Sequence, residues 1–436
     1  MFMTLKKYFP RRLLNIYHFF LALAASWYFG FPSKKIHLIG ITGTKGKTTV
    51  ANYLYQILQK KYKVGLISTT GVIIGKDRLN IGPHTTTPSA FELQKIIKKA
   101  VDEKIDYLIV ETSSHGFDQN RLWGLQFEIG IFTNIENDHL DYHLTWNNYA
   151  KAKAKLIKQV KKGGVVILNQ DDKKSFSFLK KIANNCQKKI FTYGIDSQKV
   201  NFRAEIIKNS FKNIKFSVIS TESKNENYIL NTFGIFNLYN TLAALIAAKH
   251  LDISYKQSYD VFKKIVPPPG RMEEVQKTPF TILVDFAHNT YSLESALKNL
   301  SALKESQGRL ITVFGCPGQR DNNRRKMGYV SGIYSNLTII TADDPRDEGV
   351  EKISLEIEAW AKKAKAVLLS KNVLPVKGHY YMKIGDRKEA IKFAIRIARK
   401  NDIVYITGMG DQHMMAVGDG EIQWNDKEEI VKILRK

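Results

Sequence analysis

Residues 36–49 read Ile36-His37-Leu38-Ile39-Gly40-Ile41-Thr42-Gly43-Thr44-Lys45-Gly46-Lys47-Thr48-Thr49, which joins an apolar run to a glycine-rich segment. The apolar residues that follow recur at helical spacing: they are Val50, Tyr53, Leu54, Ile57 and Leu58. This pattern predicts a buried strand, a glycine-rich turn and a helix. Backbone N–H groups of such a turn can surround a phosphate, while Lys47 adds a positive charge and the Thr48 hydroxyl can hold Mg²⁺. The sequence therefore predicts a phosphate-binding loop.

This loop is shorter than the general nucleotide-binding loop. That loop carries a glycine five places before the glycine of Gly-Lys-Thr, and this chain has Ile41 at that position. An ordinary turn between a strand and a helix is the alternative interpretation. The prediction therefore needs support from residues elsewhere in the chain.

Composition bounds the class of protein. The chain has 436 residues, enough for two or three domains, and its apolar content of 44% is that of a globular protein. Two cysteines, Cys186 and Cys316, cannot build a four-cysteine zinc ribbon, and they favour a reducing compartment. The net charge of +26 would attract polyanions, but the lysines are scattered in short runs typical of solvated helix faces. No RNA-binding or helix-turn-helix signature accompanies them, so we expect no nucleic-acid partner.

The N-terminal segment carries no charged side chain from Leu13 to Ser33. Basic residues flank it on both sides: Lys6, Lys7, Arg11 and Arg12 precede it, and Lys34 and Lys35 follow it. Small and polar residues fall on one helical face and bulky residues on the others, so we expect a helix that docks on protein or lies in a membrane interface rather than one that spans the bilayer. A cleaved signal peptide is not expected, because a loop for ATP must stay where ATP is. We therefore expect a cytoplasmic protein with peripheral membrane contact through this helix.

Polar residues follow two further apolar runs of strand type. Glu111 ends one run and precedes Thr112-Ser113-Ser114-His115-Gly116. An acid at the carboxyl end of a strand beside a phosphate loop is a candidate Mg²⁺ ligand. The second run, 129–132, is followed by Asp138-His139-Leu140-Asp141-Tyr142-His143. The density of imidazoles and carboxylates there favours metal or phosphate chemistry over a solvated turn.

Pro267-Pro268-Pro269-Gly270 is the strongest predicted linker, because proline and glycine there end any regular element. Before it, residues 198–232 alternate like antiparallel β structure. After it, strands are predicted at 281–284, 310–314, 337–340, 367–369 and 403–406, with helices such as 292–304 and 388–399 between them. This alternation predicts a second open α/β sheet. The predicted organisation is an apolar helical segment at 1–35, a central domain at 36–268 and a C-terminal domain at 269–436.

Taken together, the motifs resemble the Mur ligase superfamily from about residue 36 to the C-terminus, and most of all its UDP-N-acetylmuramoyl-tripeptide synthetases. In chain order they are Gly-Thr-Lys-Gly-Lys-Thr-Thr at 43–49, Thr-Thr-Pro at 86–88, Glu-Thr-Ser-Ser-His-Gly at 111–116, Thr-Asn at 133–134, Asp-His-Leu-Asp-Tyr-His at 138–143, Gly-Ile-Phe-Asn at 234–237, Gly-Arg-Met-Glu at 270–273 and Asp-Phe-Ala-His at 285–288. The resemblance implies an α/β fold with a P-loop-type central ATPase domain followed by a Rossmann-like C-terminal α/β domain. It also implies a monomeric ligase that uses ATP and Mg²⁺ to add an amino acid, expected to be the third, diamino acid residue, to a UDP-linked muramyl-peptide through an acyl phosphate.

The resemblance further implies roles for individual residues. The nucleotide would be bound by Gly43, Thr44, Lys45, Gly46, Lys47, Thr48, Thr49, Asn240, Arg271, Asp285 and His288. The metal site would comprise Thr48, Glu111, His139 and Lys153. Catalytic roles would fall to Lys47, Glu111, His139 and Lys153, the last in the position of the family's carbamylated lysine. The muramyl-peptide and the amino acid would be bound by Thr86, Thr87, Ser113, Gln119, Arg121, Arg320, Asp343, Asp344, Arg346, Gly408 and Gln412.

The chain departs from that family in three places. Only some 35 residues precede the phosphate loop, where the family has a domain that holds the uridine nucleotide. The tetrapeptide that selects the incoming amino acid, Asp-Asn-Pro-Arg in diaminopimelate-adding enzymes, reads Asp343-Asp344-Pro345-Arg346. The family's later Gly-Lys-Gly-His-Glu reads Gly408-Met409-Gly410-Asp411-Gln412. Arg346 suits a distal carboxylate on the added amino acid, whereas Asp344 suits a distal ammonium. The identity of the added amino acid therefore stays open.

Three other functions are compatible with parts of the pattern. A ligase or amidase acting on a lipid-linked muropeptide would explain the apolar helix, although such proteins normally carry a cysteine zinc ribbon. Folylpolyglutamate synthetases share the architecture but carry Gly-Lys-Gly-Ser in the loop. A nucleotide-dependent scaffold without chemistry is disfavoured by Lys47, Glu111, His139 and Lys153.

Overall fold

The computed structural model describes residues 11–79, 86–221, 225–305, 307–369 and 377–435. The basic residues Lys6 and Lys7 lie outside the described residues. The chain divides into two compact units, Met1–Val266 and Pro267–Lys436.

Helices and strands alternate through most of the first unit. Its helices are α1 (Arg11–Tyr28), α2 (Lys47–Leu58), α3 (Ala90–Asp102), α4 (Ser114–Asp118), α5 (Leu140–His143), α6 (Trp146–Gln159), α7 (Lys173–Asn185), α8 (Ile235–His250) and α9 (Tyr255–Phe262). Its strands are β1 (His37–Thr42), β2 (Val64–Ser68), β3 (Gly71–Ile74), β4 (Asp77–Leu79), β5 (Tyr107–Glu111), β6 (Phe127–Phe132), β7 (Val160–Asn169), β8 (Lys189–Gly194), β9 (Phe202–Asn209), β10 (Ile214–Ser220) and β11 (Glu226–Leu230).

These strands form one sheet in the described part of the first unit, in the order β11-β10-β9-β8-β7-β6-β1-β5-β2-β3-β4. The centre is parallel: β1 pairs with β5 on one side and β6 on the other. The two margins are antiparallel, which confirms the antiparallel structure predicted for 198–232. Because β1 is central and parallel, the loop after it emerges at the sheet edge where β5 and β6 also end.

Both faces of the central strands are buried, which explains their continuous apolar runs. Ile39 and Ile41 of β1 pack in a core that includes side chains of α2 and α8. Leu38, on the opposite face, packs in a second core with side chains of α3 and α6. The structure therefore has the predicted strand–loop–helix with a helical layer on each side of the sheet.

Helix α6 packs unusually close to the sheet. A Cβ atom added to Gly40 of β1 would lie 2.6 Å from Leu156 Cδ1, and one added to Gly130 of β6 would lie 3.3 Å from Leu156 Cγ. Glycine at these two positions lets α6 approach the backbone of the strands. The close approach brings Lys153 of α6 under the phosphate loop.

The second unit is also α/β. Its helices are α10 (Thr290–Leu303), α11 (Met327–Tyr334), α12 (Val350–Lys363), α13 (Arg387–Ile397) and α14 (Asp426–Leu434). Its strands are β12 (Glu273–Gln276), β13 (Thr281–Asp285), β14 (Leu310–Phe314), β15 (Leu337–Ile340), β16 (Val367–Leu368), β17 (Tyr380–Lys383), β18 (Ile403–Thr407), β19 (Met414–Val417) and β20 (Gly420–Gln423).

Within the described residues of this unit the larger sheet runs β12-β13-β18-β14-β15-β17-β16, and only β12 is antiparallel to its neighbour. All five strands predicted after the linker are present, so the predicted α/β class is confirmed. The prediction missed β17, which lies between β15 and β16, and it missed the separate hairpin β19–β20.

The N-terminal helix α1 docks on the first unit through its small residues. Ala22, Ala25 and Ser26 are buried, and Gln94 of α3 donates a hydrogen bond to Ser26 Oγ at 3.1 Å. Asn120 donates to the Asn15 carbonyl oxygen at 3.1 Å. Of the two expected positions of this helix, on protein or in a membrane interface, the structure shows the first for its small-residue face. Among the helices of the described residues, none has the length and apolarity of a membrane span.

Candidate active site

The loop between β1 and α2 is built on two glycines with positive φ, Gly43 at +155° and Gly46 at +80°. A Cβ atom on Gly43 would lie 1.8 Å from Thr133 Oγ1, and one on Gly46 would lie 2.2 Å from Asn240 Oδ1. Both positions therefore exclude any side chain, for steric and for conformational reasons. Asn240, assigned to the nucleotide only by resemblance, contacts the loop directly.

Residues after β6 hold the loop from the other side. Asn134 accepts hydrogen bonds from the backbone N–H groups of Thr44 and Lys45, at 2.8 and 3.0 Å. Thr133 donates from its hydroxyl to the Lys45 carbonyl oxygen at 2.5 Å, and Lys45 Nζ lies 2.7 Å from Glu136 Oε2. These bonds fix the loop backbone without using Thr48 or Thr49, which lie in the first turn of α2.

Three functional groups meet at the start of α2. Lys47 Nζ lies 3.1 Å from the Thr44 carbonyl oxygen, so the amine folds back over the loop. The Thr48 hydroxyl lies 3.1 and 3.0 Å from the two carboxylate oxygens of Glu111. Glu111 ends β5, next to β1 in register with Ile41, as expected for an acid at that strand end.

Lys153 of α6 also contacts this loop. Its side chain is buried, with Nζ 2.6 Å from the Gly43 carbonyl oxygen and 4.6 Å from the centroid of the Tyr149 ring. Burial lowers the pKa of Lys153 well below its usual value, and the positive charge of Lys47 lowers it further. These surroundings therefore favour the uncharged, nucleophilic form of the amine.

The loop fits a nucleotide phosphate because it leads into the N-terminus of α2, where Gly46 provides no side-chain cap and the first backbone N–H groups have no partner within the helix. Thr48 and Glu111 supply the oxygen ligands that Mg²⁺ prefers, and Mg²⁺ at nucleotide sites is usually completed by phosphate oxygens and water. Within the described ranges, no three His, Cys, Asp or Glu side chains form a ready-made metal site. The side chains of segment 138–143 form no such group, and the predicted metal or phosphate role of this segment stays a prediction.

The predicted substrate residues form a connected cluster beside Glu111. Thr87 donates to the Glu111 carbonyl oxygen at 3.3 Å and accepts from the Ser113 N–H at 3.0 Å. Arg121 donates to the Thr87 carbonyl oxygen at 2.7 Å and to Gln119 Oε1 at 2.6 and 3.0 Å. This network holds the Arg121 guanidinium beside the loop, where it can bind an anionic substrate group.

Histidines and tyrosines of α5 and its neighbours stack next to that cluster. The His115 ring centroid lies 4.9 Å from that of His139, 4.2 Å from Tyr142 and 5.5 Å from His143. Burial, together with the positive charges of Arg121 and Lys153, lowers the pKa of His115 to about 4, so its imidazole is neutral at pH 7. His139 therefore lies in an aromatic stack, and its predicted metal role stays a prediction.

The remaining predicted nucleotide residues lie in the second unit. Asp285 ends β13 and accepts hydrogen bonds from the Met272 N–H at 3.1 Å and the Tyr405 hydroxyl at 2.7 Å. Arg271 Nη1 lies 3.2 Å from Asp411 Oδ1, and its guanidinium lies 4.3 Å from the centroid of the Phe286 ring. His288 Nδ1 lies 2.8 Å from the Phe286 carbonyl oxygen, so Arg271, Asp285 and His288 surround one turn after β13.

Asp343 is the most unusual predicted substrate residue. It is buried, and its Oδ2 atom has no hydrogen-bond partner among the described residues. A Cβ atom on Gly408 would lie 2.0 Å from this oxygen, so glycine at 408 leaves space in front of it. Burial raises the pKa of Asp343 to about 7, although the Arg387 guanidinium opposes the rise.

Asp344 and Arg346 instead hold the hairpin β19–β20. Asp344 Oδ1 accepts a hydrogen bond from the Ala416 N–H at 2.8 Å. The Arg346 N–H donates to the Ala416 carbonyl oxygen, and the Arg346 carbonyl oxygen accepts from the Gly418 N–H, each at 3.1 Å. Gln412 lies in the turn before β19, where its carbonyl oxygen accepts from Asn425, and Arg320 is exposed after β14.

Sequence reasoning missed two residues that complete the first site. Thr69 follows β2 and donates both its N–H and its hydroxyl to Glu111, at 3.0 and 3.1 Å. Tyr149 lies one helical turn before Lys153, and its hydroxyl lies 3.1 Å from Thr44 Oγ1. The strand-end position of Thr69 and the i,i+4 spacing of Tyr149 to Lys153 were the available signals.

Comparison with known proteins gives consistent matches over both units. The model of the Mur ligase middle domain matches residues 41–248, and that of the Mur ligase, glutamate ligase domain matches residues 270–410. UDP-N-acetylmuramoyl-L-alanyl-D-glutamate--2,6-diaminopimelate ligase 1 of Clostridium acetobutylicum is 36% identical over 421 residues, covering 95% of this chain and 82% of the relative. The corresponding ligase of Caldanaerobacter subterraneus is 36% identical over 418 residues, covering 95% of this chain and 81% of the relative.

Solved structures agree with these matches. A UDP-N-acetylmuramoyl-L-alanyl-D-glutamate--2,6-diaminopimelate ligase superposes with a TM-score of 0.64 at 30% identity, covering 94% of this chain and 82% of that one. The folylpolyglutamate synthase of Mycobacterium tuberculosis, complexed with ADP and AMPPCP, superposes with a TM-score of 0.69 at 17% identity, covering 89% and 91% of the two chains. The second similarity concerns the fold alone.

The steric demand on Gly46 can be tested directly. We expect Gly46→Ala to weaken nucleotide binding at least tenfold, because its Cβ would displace Asn240, which it would approach to 2.2 Å. The matched control is Gly163→Ala. Gly163 has a similar φ of +82°, but an added Cβ would meet no atom within 4 Å. This control therefore measures only the backbone strain, about 1–2 kcal/mol. Calorimetric titration with ADP and urea unfolding of both variants provide the measurements. Equal ADP affinity in Gly46→Ala and the control would contradict the proposed cradle.

The raised pKa of Asp343 predicts that the stability of the folded protein depends on pH. The folded protein keeps a proton on Asp343 up to about pH 7, whereas the unfolded chain releases it near pH 4, so the wild type loses stability as the pH rises through this window. Asp343→Asn has no proton to release. We therefore expect its free energy of unfolding, relative to wild type, to increase between about pH 4 and pH 7 and then level off. Asp347→Asn, at an exposed neighbour, should show no such trend in urea unfolding at each pH.

Proposed function

The chain belongs to the Mur ligase family, and from this premise we propose that it joins an amino acid, expected to be the diamino acid at the third position of the peptidoglycan stem, to a UDP-N-acetylmuramoyl-peptide. Enzymes of this family form amide bonds at the expense of ATP. The relatives that match most of the chain are named for addition of 2,6-diaminopimelate.

The observation that carries the proposal is the convergence of four side chains on one loop. Lys47, Thr48, Glu111 and Lys153 come from two helices and a strand, and each lies within hydrogen-bond distance of the loop or of another member. A loop that only linked a strand to a helix would not need a buried amine and a buried carboxylate beside it, since burying both groups is costly. We therefore assign Lys47, Glu111 and Lys153 to catalysis, and we add His139 on the resemblance to the family alone.

The chemistry requires activation, because a carboxylate does not condense with an amine in water. A carboxylate oxygen of the muramyl-peptide attacks the γ-phosphorus of ATP, and ADP leaves, giving an acyl phosphate. The amine of the incoming amino acid then attacks the acyl carbon, loses a proton, and expels inorganic phosphate. Lys47 would stabilise charge on the transferring phosphoryl group, and Arg121 would hold the acceptor in place.

Mg²⁺ would be held by Thr48 and Glu111 and would supply charge neutralisation for the phosphates when bound. We propose that Lys153 contributes to this site as a carbamate. The uncharged form of its amine can attack CO₂, forming an N–C bond and releasing one proton, and the product is a carboxylate. Burial and then the positive charge of Lys47 lower the pKa of Lys153. A carbamate would replace the repulsion between the two amines by an attraction between opposite charges.

For the incoming amino acid we propose that Asp343 faces an ammonium group. Its unpartnered oxygen is the available acceptor, while Asp344 already accepts from the Ala416 N–H. The half-buried Arg346 is the partner for a distal carboxylate. With the distal ammonium at Asp343 and the distal carboxylate at Arg346, this pairing of charges favours a diamino acid with a second carboxylate over a simple acidic amino acid.

A lipid-linked muropeptide is the second candidate acceptor, and the exposed apolar face of α1 favours it. We propose a monomer that works in the cytoplasm, where ATP and both candidate acceptors occur, with peripheral membrane contact. Phosphate release with UDP-linked and lipid-linked acceptors, each against a panel of amino acids, distinguishes the two. Release with neither acceptor would contradict the proposed function.

Lys47→Ala is expected to abolish ATP-dependent phosphate release, at least a thousandfold below wild type, because it removes the positive charge over the loop. The fold should survive, since Lys47 is not part of either core. Lys60→Ala, just beyond the other end of α2, removes the same charge from an exposed position and should keep wild-type activity. Wild-type turnover by Lys47→Ala would refute the assignment.

Lys153→Ala is expected to lose activity that formate or acetate restores in part, because a small carboxylate can occupy the space of the carbamate. Lys155→Ala removes an amine from the same helix, and its activity should not respond to added carboxylates. A carbamate carbon in the ¹³C NMR spectrum of wild type under ¹³CO₂, absent from Lys153→Ala, gives an independent readout. Full activity of Lys153→Ala without added carboxylate would remove the carbamate from the mechanism.

A further inference from the structure

Helix α1 has a second apolar face, and this face points to solvent. Its residues lie at helical spacing along the whole helix, and each is at least 43% exposed: they are Leu13, Ile16, Tyr17, Phe20, Leu21, Trp27 and Tyr28. With a rise of about 1.5 Å per residue the stripe is about 22 Å long. We call these seven residues the outer stripe.

The protein itself covers only the opposite side of α1. Ala22, Ala25 and Ser26 are buried against the first unit, and small residues there allow a close approach. Phe19 packs edge-on against Trp123, with ring centroids 5.1 Å apart. A helix that is apolar all round is normally covered all round, so the docked face does not account for the outer stripe.

Further aromatic side chains extend the outer stripe onto α3. Phe91, which is 50% exposed, lies 5.4 Å from Tyr28 and 5.0 Å from Phe29 between ring centroids. Tryptophan and tyrosine at one end of an apolar patch are typical of side chains placed at the boundary between lipid and water. The surface therefore combines an aliphatic and aromatic centre with amphipathic rings at its edge.

The charged residues of α1 and of the sequence on either side of it have one sign, whereas α3 carries both signs, with the exposed Glu92 next to Phe91. The first acidic residue of the chain is Asp77, so every charged residue of α1 and its flanks is basic. Lys34 and Lys35 are exposed in the short 3-10 turn Pro32–Lys35 that follows the helix, and Arg11 and Arg12 begin the helix. On α3, by contrast, Lys98 and Lys99 are neutralised by ion pairs with Asp102 and Asp77.

We propose that the outer stripe is a docking surface for an anionic membrane, on which α1 lies parallel to the bilayer plane. The apolar side chains enter the acyl boundary, and the basic residues at the two ends contact acidic headgroups. The occupant is a lipid surface rather than a second copy of the chain, because the unbalanced positive charge at both ends would repel another copy. This inference deepens the membrane contact named in the proposed function. The vesicle test below needs no ligase activity, so the failure of the docking surface and the failure of the ligase assignment can be told apart.

The test uses the full chain and substitutions in the outer stripe, because deleting α1 would uncover the core that Ala22 and Ala25 cover. We expect the wild type to co-sediment with phosphatidylcholine vesicles that contain phosphatidylglycerol, more weakly with phosphatidylcholine alone, and less as salt is added. The double variant Phe20→Ser/Trp27→Ser should partition at least tenfold less. The control Ile207→Ser/Leu355→Ser changes residues that are 63% and 51% exposed elsewhere, and it should behave as wild type.

Urea unfolding and light scattering of each variant complete the test. The Phe20→Ser/Trp27→Ser variant should keep wild-type stability, because both side chains are exposed. The proposal is overturned if the wild type stays in the supernatant at low salt, if it binds neutral and acidic vesicles equally, or if the stripe variant sediments as well as wild type. It is also overturned if the wild type is a dimer that the stripe variant dissociates, since a second copy would then cover the stripe.

Discussion

The candidate site of the first unit depends on the loop between β1 and α2, whose backbone leaves no room for side chains at Gly43 and Gly46. Gly43 and Gly46 are each in contact with a side chain from a distant part of the sequence, Thr133 and Asn240, which a Cβ atom would displace. The loop can take this path because β1 is central and parallel, with β5 and β6 ending at the same edge. One steric constraint thus fixes the positions of the amine of Lys47 and the hydroxyl of Thr48 relative to the Glu111 carboxylate.

The positions of residues close in sequence to this loop, or at the end of a neighbouring strand, were predictable from the sequence. The apolar run, the glycines and the helical spacing after them place Lys47 and Thr48, and the strand-end rule places Glu111 beside them. The alternation of strands and helices after the proline-rich linker predicted the α/β class of the second unit, which the structure confirms. In each case the signal and the structure it specifies lie within one or two adjacent elements.

Contacts between distant elements were not predictable in the same way. Asn240 and Lys153 were assigned only through resemblance, because nothing in their local pattern says that α8 and α6 reach the loop. Thr69 was missed because its neighbour Glu111 lies 42 positions away, joined to it only by the pairing of β2 with β5. The hairpin β19–β20 was missed as well, and so was the difference between two neighbouring carboxylates. Asp344 accepts a hydrogen bond from the hairpin, whereas Asp343 keeps an oxygen without a hydrogen-bond partner among the described residues.

Helix α1 shows how one sequence feature can have two physical explanations. Its lack of charge is required on the docked side, where Ala22, Ala25 and Ser26 are buried. Docking places no such requirement on the other side, because polar residues at positions such as Phe20 and Trp27 would be solvated and would leave the buried contacts unchanged. Exposed apolar side chains lower solubility and give nothing to the fold in return. The bulky residues of the outer face must therefore be explained by something other than the stability of the first unit, and a surface that is itself apolar is the simplest explanation.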